Sequence, residues 1–418
     1  MKRRKLASVG VLAAVVVAAA SLAGGTTGAT GATQANVLTV WLQVDAQSGW
    51  PEVVAAANRQ FESQHPGWTV DVQYQTWGDH LGKFDATLAA GNPPDVIEMG
   101  NTEMTKYMAA GAFTDLTSQK ASFPNSSRWL GGLMASGMYN GRLFGVPYYA
   151  GSRVVTYRTD LFAKAGIKKL PATLAEFTAA AKKLAAKNKS RGFSPVYIAG
   201  TDWYFAMSFV YDRGGAIARY KQGKWVGALD SSFATAGLNA YKQFFAVASR
   251  ASKTTDETRP NPYDVYAQGR AAAIVGPAWF SCCVGAKYKN VTKQFVMPGV
   301  KAGRPMPGFL GGSDLAVPIR SDAKPQASDW IKAFTSTTSQ RQLQAKGNIP
   351  NATNLLGNSV NERAAQRSWF VPTAKHWVDV ENGNILRTML ARILTGKATV
   401  PQATSWASDN ISFTLNRP

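Results

Sequence analysis

The alternation of short apolar runs with helix-spaced segments between residues 37 and 116 constrains the fold more than any other feature of this chain. Residues 37–44, VLTVWLQV, read as a strand, and a helix is expected over 51–64 because Pro51 suits a first turn and Val54, Ala57 and Phe61 form one stripe. Residues 68–75 alternate apolar and polar as a second strand. In the following segment, Asp79 is placed to cap a helix carrying Leu81, Phe84 and Leu88, and Gly91-Asn92-Pro93-Pro94 ends it because neither Gly nor Pro continues a helix cheaply. Residues 95–99 are a third strand. The β-α-β-α-β-α order predicts an α/β fold with a parallel-type sheet covered on both faces.

An open parallel sheet exposes the carboxyl ends of its strands to ligands. Here those ends carry Glu98, Gly100, Asn101 and Glu103, with Trp77 in a neighbouring loop. Taken singly, Trp77 also reads as a core aromatic and Glu98 as a solvated strand end. Further along, Gly145-Val146-Pro147-Tyr148-Tyr149 approaches an extended strand at 154–157, a common form of connection between lobes. Thr173 and Glu176 form a capping box opening a helix over 174–187. Asp202 and Trp203 stand between Gly200 and a helix start, a position that can face a cleft. Trp279 and Phe280 follow the buried strand 271–275 at its carboxyl end, and a second crossing is expected near 311–318.

At 418 residues, with 45% hydrophobic and 17% charged side chains, the chain supports two or three packed domains. Lys2, Arg3, Arg4 and Lys5 precede an apolar run and then small residues, which predicts a secretory signal peptide over 1–35. Its removal takes four basic residues and no acid, lowering the formal charge from +21 to +17. Lys164, Lys168, Lys169, Lys182, Lys183, Lys187, Lys189 and Arg191 crowd one region, as a solvated helix face or as a surface attracted to an anionic envelope. Nucleic acid is not expected as a partner, because these bases are not interleaved with stacking aromatics. The two cysteines, Cys282 and Cys283, are adjacent. They pair with each other, pair with another chain, or stay reduced.

No phosphate loop, dinucleotide fingerprint or nucleophile elbow occurs, and His65, His80 and His376 are scattered, so neither cofactor nor metal is expected. A pair of carboxylates for glycoside hydrolysis, such as Asp202 with Glu98, has no positive support.

Several segments resemble the sugar-binding extracellular solute-binding proteins, family 1, of ATP-binding-cassette importers. They are W-x-D-x-x-x-K-F-x-x-x-L-A-A-G-x-x-P-D-V over 77–96, G-V-P-Y over 145–148, Q-G-R-A-A-A-I-V-G-P over 268–277, the stretch 312–318, and K-G-N-I-P over 346–350. The resemblance implies a type II periplasmic-binding-protein-like fold with two lobes and three crossings. The lobes are expected at 36–149 plus 312–336 and at 150–311 plus 337–418. It implies a non-enzymatic receptor that holds a mono- or oligosaccharide in the cleft and delivers it to permease subunits, acting as a monomer.

Carried onto this chain, the site residues are Gln43, Asp45, Trp77, Glu98, Asn101, Tyr149, Asp202, Trp203, Trp279 and Phe280. The family often places its stacking Trp two residues beyond the glycine that here is Gly276, but Ala278 occupies that position. Related proteins of single-membrane cells carry a lipid-accepting Cys after Leu-Ala-Gly, where this chain has Gly25 after Leu22-Ala23-Gly24, so a secreted or electrostatically retained protein is expected. The alternatives are a secreted carbohydrate-active enzyme and a receptor for a uronate-type oligosaccharide using Arg153 or Arg213.

Overall fold

The computed structural model describes residues 36–258 and 260–417, without the side chain of Cys282; the expected signal peptide, 1–35, lies outside the described residues. The first three strands form as expected. Asn36–Gln43 pairs in parallel with Trp68–Gln75 along its whole length and with Val96–Gly100 through Val40/Val96 and Trp41/Ile97. Two returning strands complete the sheet. Gly311–Ala316 runs antiparallel to Val96–Gly100, and Gly145–Gly151 lies antiparallel on its far side. The five-stranded sheet is therefore mixed rather than parallel throughout.

Helix Pro51–Gln64 turns Val53, Val54, Ala57 and Phe61 inward against helix Lys324–Phe334, whose Trp330, Ile331 and Phe334 are buried in the same core. On the opposite face, Phe84, Tyr107 and Met108 pack with Ile97 and Met99. The strand ending at Gln43 runs directly into a short helix, Val44–Gly49, ahead of the helix expected from Pro51.

A second sheet is built on Arg153–Arg158, with Ala273–Pro277 and Thr292–Phe295 antiparallel on either side. The expected parallel arrangement fails here because Arg153–Arg158 enters straight from the first sheet, against the sense of the strands laid down locally. Helices Leu174–Lys187, Trp203–Asp212, Ser232–Ala248, Ile385–Thr395 and Val400–Leu415 bury one large core around this sheet.

Three segments connect the two sheets. The first is the step at Ser152, and the second runs from Gly308–Phe309, which pairs with Ser368–Trp369, into Gly311–Ala316. The third passes Ile349, whose N–H donates to the Ala150 carbonyl at 2.7 Å. Two of them touch closely: a Cβ on Gly312 would run into the Tyr149 carbonyl, so only glycine fits. Leu343, Ala352 and Leu355 pack in the core of the five-stranded sheet.

Candidate functional site

The parallel strands bring Gln43 and Glu98 to one edge. The Gln43 backbone N–H donates to Glu98 Oε2 at 2.9 Å, and Gln43 Nε2 reaches the Glu98 carbonyl at 3.4 Å. Both side chains are buried, yet among the described residues Gln43 Oε1 and Glu98 Oε1 have no hydrogen-bond partner of good geometry, the nearby Ser313 hydroxyl only partly offsetting the effect of burial on Glu98. Buried polar atoms are nearly always paired, so two adjacent orphans at a sheet edge mark a surface awaiting donors. Burial, assisted by the nearby Asp45 charge, pushes the Glu98 carboxyl up to about 7.

Asp45 accepts from Trp77 Nε1 at 2.6 Å, and the Trp77 ring stands edge-on to His80 with centroids 5.3 Å apart. Held this way, Trp77 keeps 40% of its surface exposed. His80 Nε2 lies 2.8 Å from Glu103 Oε2, which also accepts the Gly100 N–H at 2.9 Å. Asn101 donates through Nδ2 to the Leu310 carbonyl at 3.1 Å and so ties this edge to the second crossing. Tyr149 packs edge-on against Trp50 and Tyr148, and burial together with the charges of Glu98 and Asp45 holds its phenol well above the ordinary value. Opposite Tyr149, the strand pairing shifts between Ser313 and Asp314, and Ser313 Oγ and Asp314 Oδ1 are likewise orphaned.

The second wall starts one residue beyond the Ser152 crossing. Arg153 pairs in register with Pro277, lies 3.7 Å from Asp202 Oδ1, and covers the Tyr204 ring at 4.8 Å. Asp202 also caps the helix behind it by accepting the Phe205 N–H at 3.1 Å. Arg387 bridges Glu257 at 2.8 Å and Asp256 at 3.8 Å. Glu381 accepts from Trp377 Nε1 at 2.6 Å; burial pushes its carboxyl up to about 7, and the charges of Glu103 and Glu257 add to the effect. Glu103 belongs to the first wall, so the two walls lie within electrostatic reach of each other. Among the described residues, Arg153 Nε, Glu257 Oε2 and Arg387 Nε are buried without partners.

Two residues expected at the site, Trp203 and Phe280, are buried. Trp203 is 3% exposed and packs among Phe309, Trp369 and Trp377, because its place just after the cap turns it into the second core; Tyr204 is the neighbour that lies under Arg153. Phe280 is 6% exposed and fills the space over Gly276, where a Cβ would meet its ring. Trp279 is 51% exposed, braced by Tyr263 and Phe280, and presents the free aromatic face. Glu257, Arg387, Tyr204 and Glu381 were not anticipated. Nothing local distinguishes them, since Arg387 and Glu257 meet across 130 residues.

The model for the bacterial extracellular solute-binding proteins matches residues 41–341. This chain belongs to that family. Among relatives of the solute-binding protein, the diacetylchitobiose binding protein DasA of Streptomyces coelicolor is 31% identical over 421 residues, with 95% of each chain covered. The fold is that of two-lobed receptors. The GacH receptor of Streptomyces glaucescens, solved unliganded and with acarbose, gives a TM-score of 0.76 at 19% identity, covering 91% of this chain and 98% of that one. The sugar-binding protein MalE of Xanthomonas citri gives 0.77 at 21% identity, covering 91% and 97%. Members of this solute-binding family are receptors and not enzymes.

Proposed function

We propose that the two walls close on an oligosaccharide of N-acetylated hexosamines, which the protein captures outside the cell and presents to the permease of an ATP-binding-cassette importer. The observation that carries this reading is the set of orphaned buried polar atoms on both walls. Gln43 Oε1 and Glu98 Oε1 on one side, and Arg153 Nε, Glu257 Oε2 and Arg387 Nε on the other, match the hydroxyl and amide rim of a sugar. Trp77 and Trp279 supply flat apolar faces for its C–H surface, while Asp45, Asn101, Tyr149 and Asp202 frame them. The amino-sugar class is supported by the likeness to DasA along nearly the whole chain.

The lobes are taken as 36–149 plus 312–336 and 150–311 plus 337–418, with the last boundary moved beyond Leu355 because Leu343, Ala352 and Leu355 pack with the first. A ligand bridging both lobes favours the closed form by its differential affinity. The protein is read as exported, monomeric and without nucleic-acid partners. Cys283 is disulfide-bonded; the side chain of Cys282, its possible partner, lies outside the described residues. A uronate ligand is disfavoured, since Arg153 already faces Asp202, and Arg387 faces Glu257 and Asp256.

Calorimetric titration with N,N′-diacetylchitobiose, maltose and digalacturonate, with product analysis, tests this. Saturable binding of the acetylated sugar without product supports the reading. Turnover, or preference for the uronate, would contradict it.

A further inference from the structure

The sequence holds 46 Lys and Arg against 25 Asp and Glu, yet both walls of the cleft are rich in acids. Asp45, Glu98 and Glu103 stand on the first, and Asp202, Glu257 and Glu381 on the second. The second wall carries its own cations, since Arg153 faces Asp202 and Arg387 faces Glu257. The first wall differs. Among the described residues, no lysine or arginine forms an ion pair with Asp45, Glu98 or Glu103. Glu103 has His80, and Lys83, in helix His80–Ala90, is turned to Gln75 Oε1 at 3.2 Å.

The unmet charge and the unmet hydrogen bonds fall at one place. Glu98 and Gln43 are each 1% exposed, and among the described residues each keeps an unpaired Oε1. The other Glu98 oxygen takes the Gln43 N–H, and the Ser313 hydroxyl gives the carboxyl partial relief. Asp45 follows Gln43 by two residues, and its charge acts both on Glu98 and on the Tyr149 phenol. One Asp45 oxygen takes Trp77 Nε1. The amide nitrogens here point at protein oxygens, Gln43 Nε2 at the Glu98 carbonyl and Asn101 Nδ2 at the Leu310 carbonyl. What this edge offers a ligand is therefore a set of acceptors carrying negative charge.

A sugar hydroxyl donates one hydrogen and brings no charge. An acetamido group donates one N–H and turns a carbonyl oxygen and a methyl toward the same acceptors. An ammonium has three donors, no acceptor and a full positive charge. Its hydrogen bonds to a carboxylate are about twice as strong as neutral ones, and it removes the cost of leaving a buried anion without a partner. We propose that this edge seats the ammonium of an unacetylated hexosamine unit, so that the cleft selects an amino-sugar oligosaccharide that is only partly N-acetylated. The ammonium donates to Glu98 Oε1 and Gln43 Oε1 and lies within the field of Asp45. The proposal rests on the reading that the cleft holds an amino sugar, and it specifies one unit of that ligand.

The test is calorimetric titration of the mature protein at about pH 7, below the ordinary range of an amine, with N,N′-diacetylchitobiose and the two N-monoacetyl isomers of chitobiose. One isomer is expected to bind at least about tenfold more tightly than the diacetylated sugar, and the other is not. Because the pair is buried, this advantage should survive about 1 M salt, where the screening length is about 3 Å. Glu98→Gln keeps an acceptor and drops the charge, so the favoured isomer should fall to within about threefold of the diacetylated sugar. The variant is expected to fold, since it removes a buried charge. Diacetylchitobiose binding as tightly as both isomers would overturn the ammonium seat and leave the amino-sugar reading standing, whereas no binding by any of the three would overturn both. An advantage shared by the two isomers and erased by salt would also overturn the seat, as general attraction of a cation to an acidic cleft.

Discussion

Glu98 accepts the Gln43 backbone N–H through one carboxylate oxygen at 2.9 Å and leaves its other oxygen buried and unpaired. Burying that half-satisfied carboxyl carries a cost in the folded protein. With the folded-state value pushed from 4.5 up to about 7, the native state binds more protons than the unfolded chain between those limits. Stability therefore falls as pH rises through that window.

Glu98→Gln removes the penalty while keeping an acceptor for the Gln43 N–H. Thermal melts from pH 4 to pH 8 should coincide at the acid end and diverge above it, the variant gaining on the order of 2 kcal/mol at pH 8. Asp314 and Glu381, also pushed up to about 7 by burial, slope in the same direction and remain in the variant, so some loss with pH persists. A variant less stable than the native protein at pH 8 would show that Glu98 is instead stabilised as an anion.

The tryptophans divide into two kinds. Trp279→Ala should change stability by no more than about 0.5 kcal/mol because half its surface is exposed, yet weaken sugar binding by about 2 kcal/mol. Trp203→Ala should destabilise by about 3 to 5 kcal/mol through loss of core packing. Urea denaturation paired with calorimetry separates these outcomes, and similar unfolding midpoints for the two variants would contradict the assignment.

Arg387 compensates Glu257 and Asp256 in a partly buried cluster. Arg387→Met leaves Glu257, already raised by burial and the Asp202 charge, without its main cation. A loss of about 1 to 2 kcal/mol is expected, discounted for the partial exposure of both groups, and it should grow from pH 5 to pH 8 as Glu257 is forced to ionise. Denaturation at both pH values would show it; a pH-independent loss would point to packing alone.

His80 is buried, which alone would lower its value, but the hydrogen bond and charge of Glu103 outweigh burial and raise it. The pair's contribution to stability is complete below the ordinary histidine value near 6.5 and is lost as pH rises through the higher folded value. In Glu103→Gln only the hydrogen bonds to the Trp77 and Thr76 backbone still oppose burial, so the His80 titration followed by NMR should move down from its value in the native protein. Titration unchanged by the substitution would deny the coupling.

Much of the first lobe was legible because its signals are local. Pro51, the helix stop at Gly91 to Pro94 and the apolar strand 96–99 each act within a few residues, and they place Gln43, Glu98 and Asn101 on one edge. Strand direction was less legible. It depends on where the chain crosses between sheets, and the reversal of Arg153–Arg158 follows from the step at Ser152. The exchange of Trp203 for Tyr204 turns on one residue of helix rotation, which the second core decides. Arg387 with Glu257, and Glu381 with Glu103, join distant segments and leave no pattern in either one.

The most direct test of the central claim is calorimetric titration of N,N′-diacetylchitobiose into the native protein, Glu98→Gln and Arg387→Met, one variant for each wall. Single-site binding by the native protein, at least about tenfold weaker in each variant, is predicted for a ligand held between both lobes. Undiminished affinity in either variant would contradict a cleft that grips its sugar from both sides.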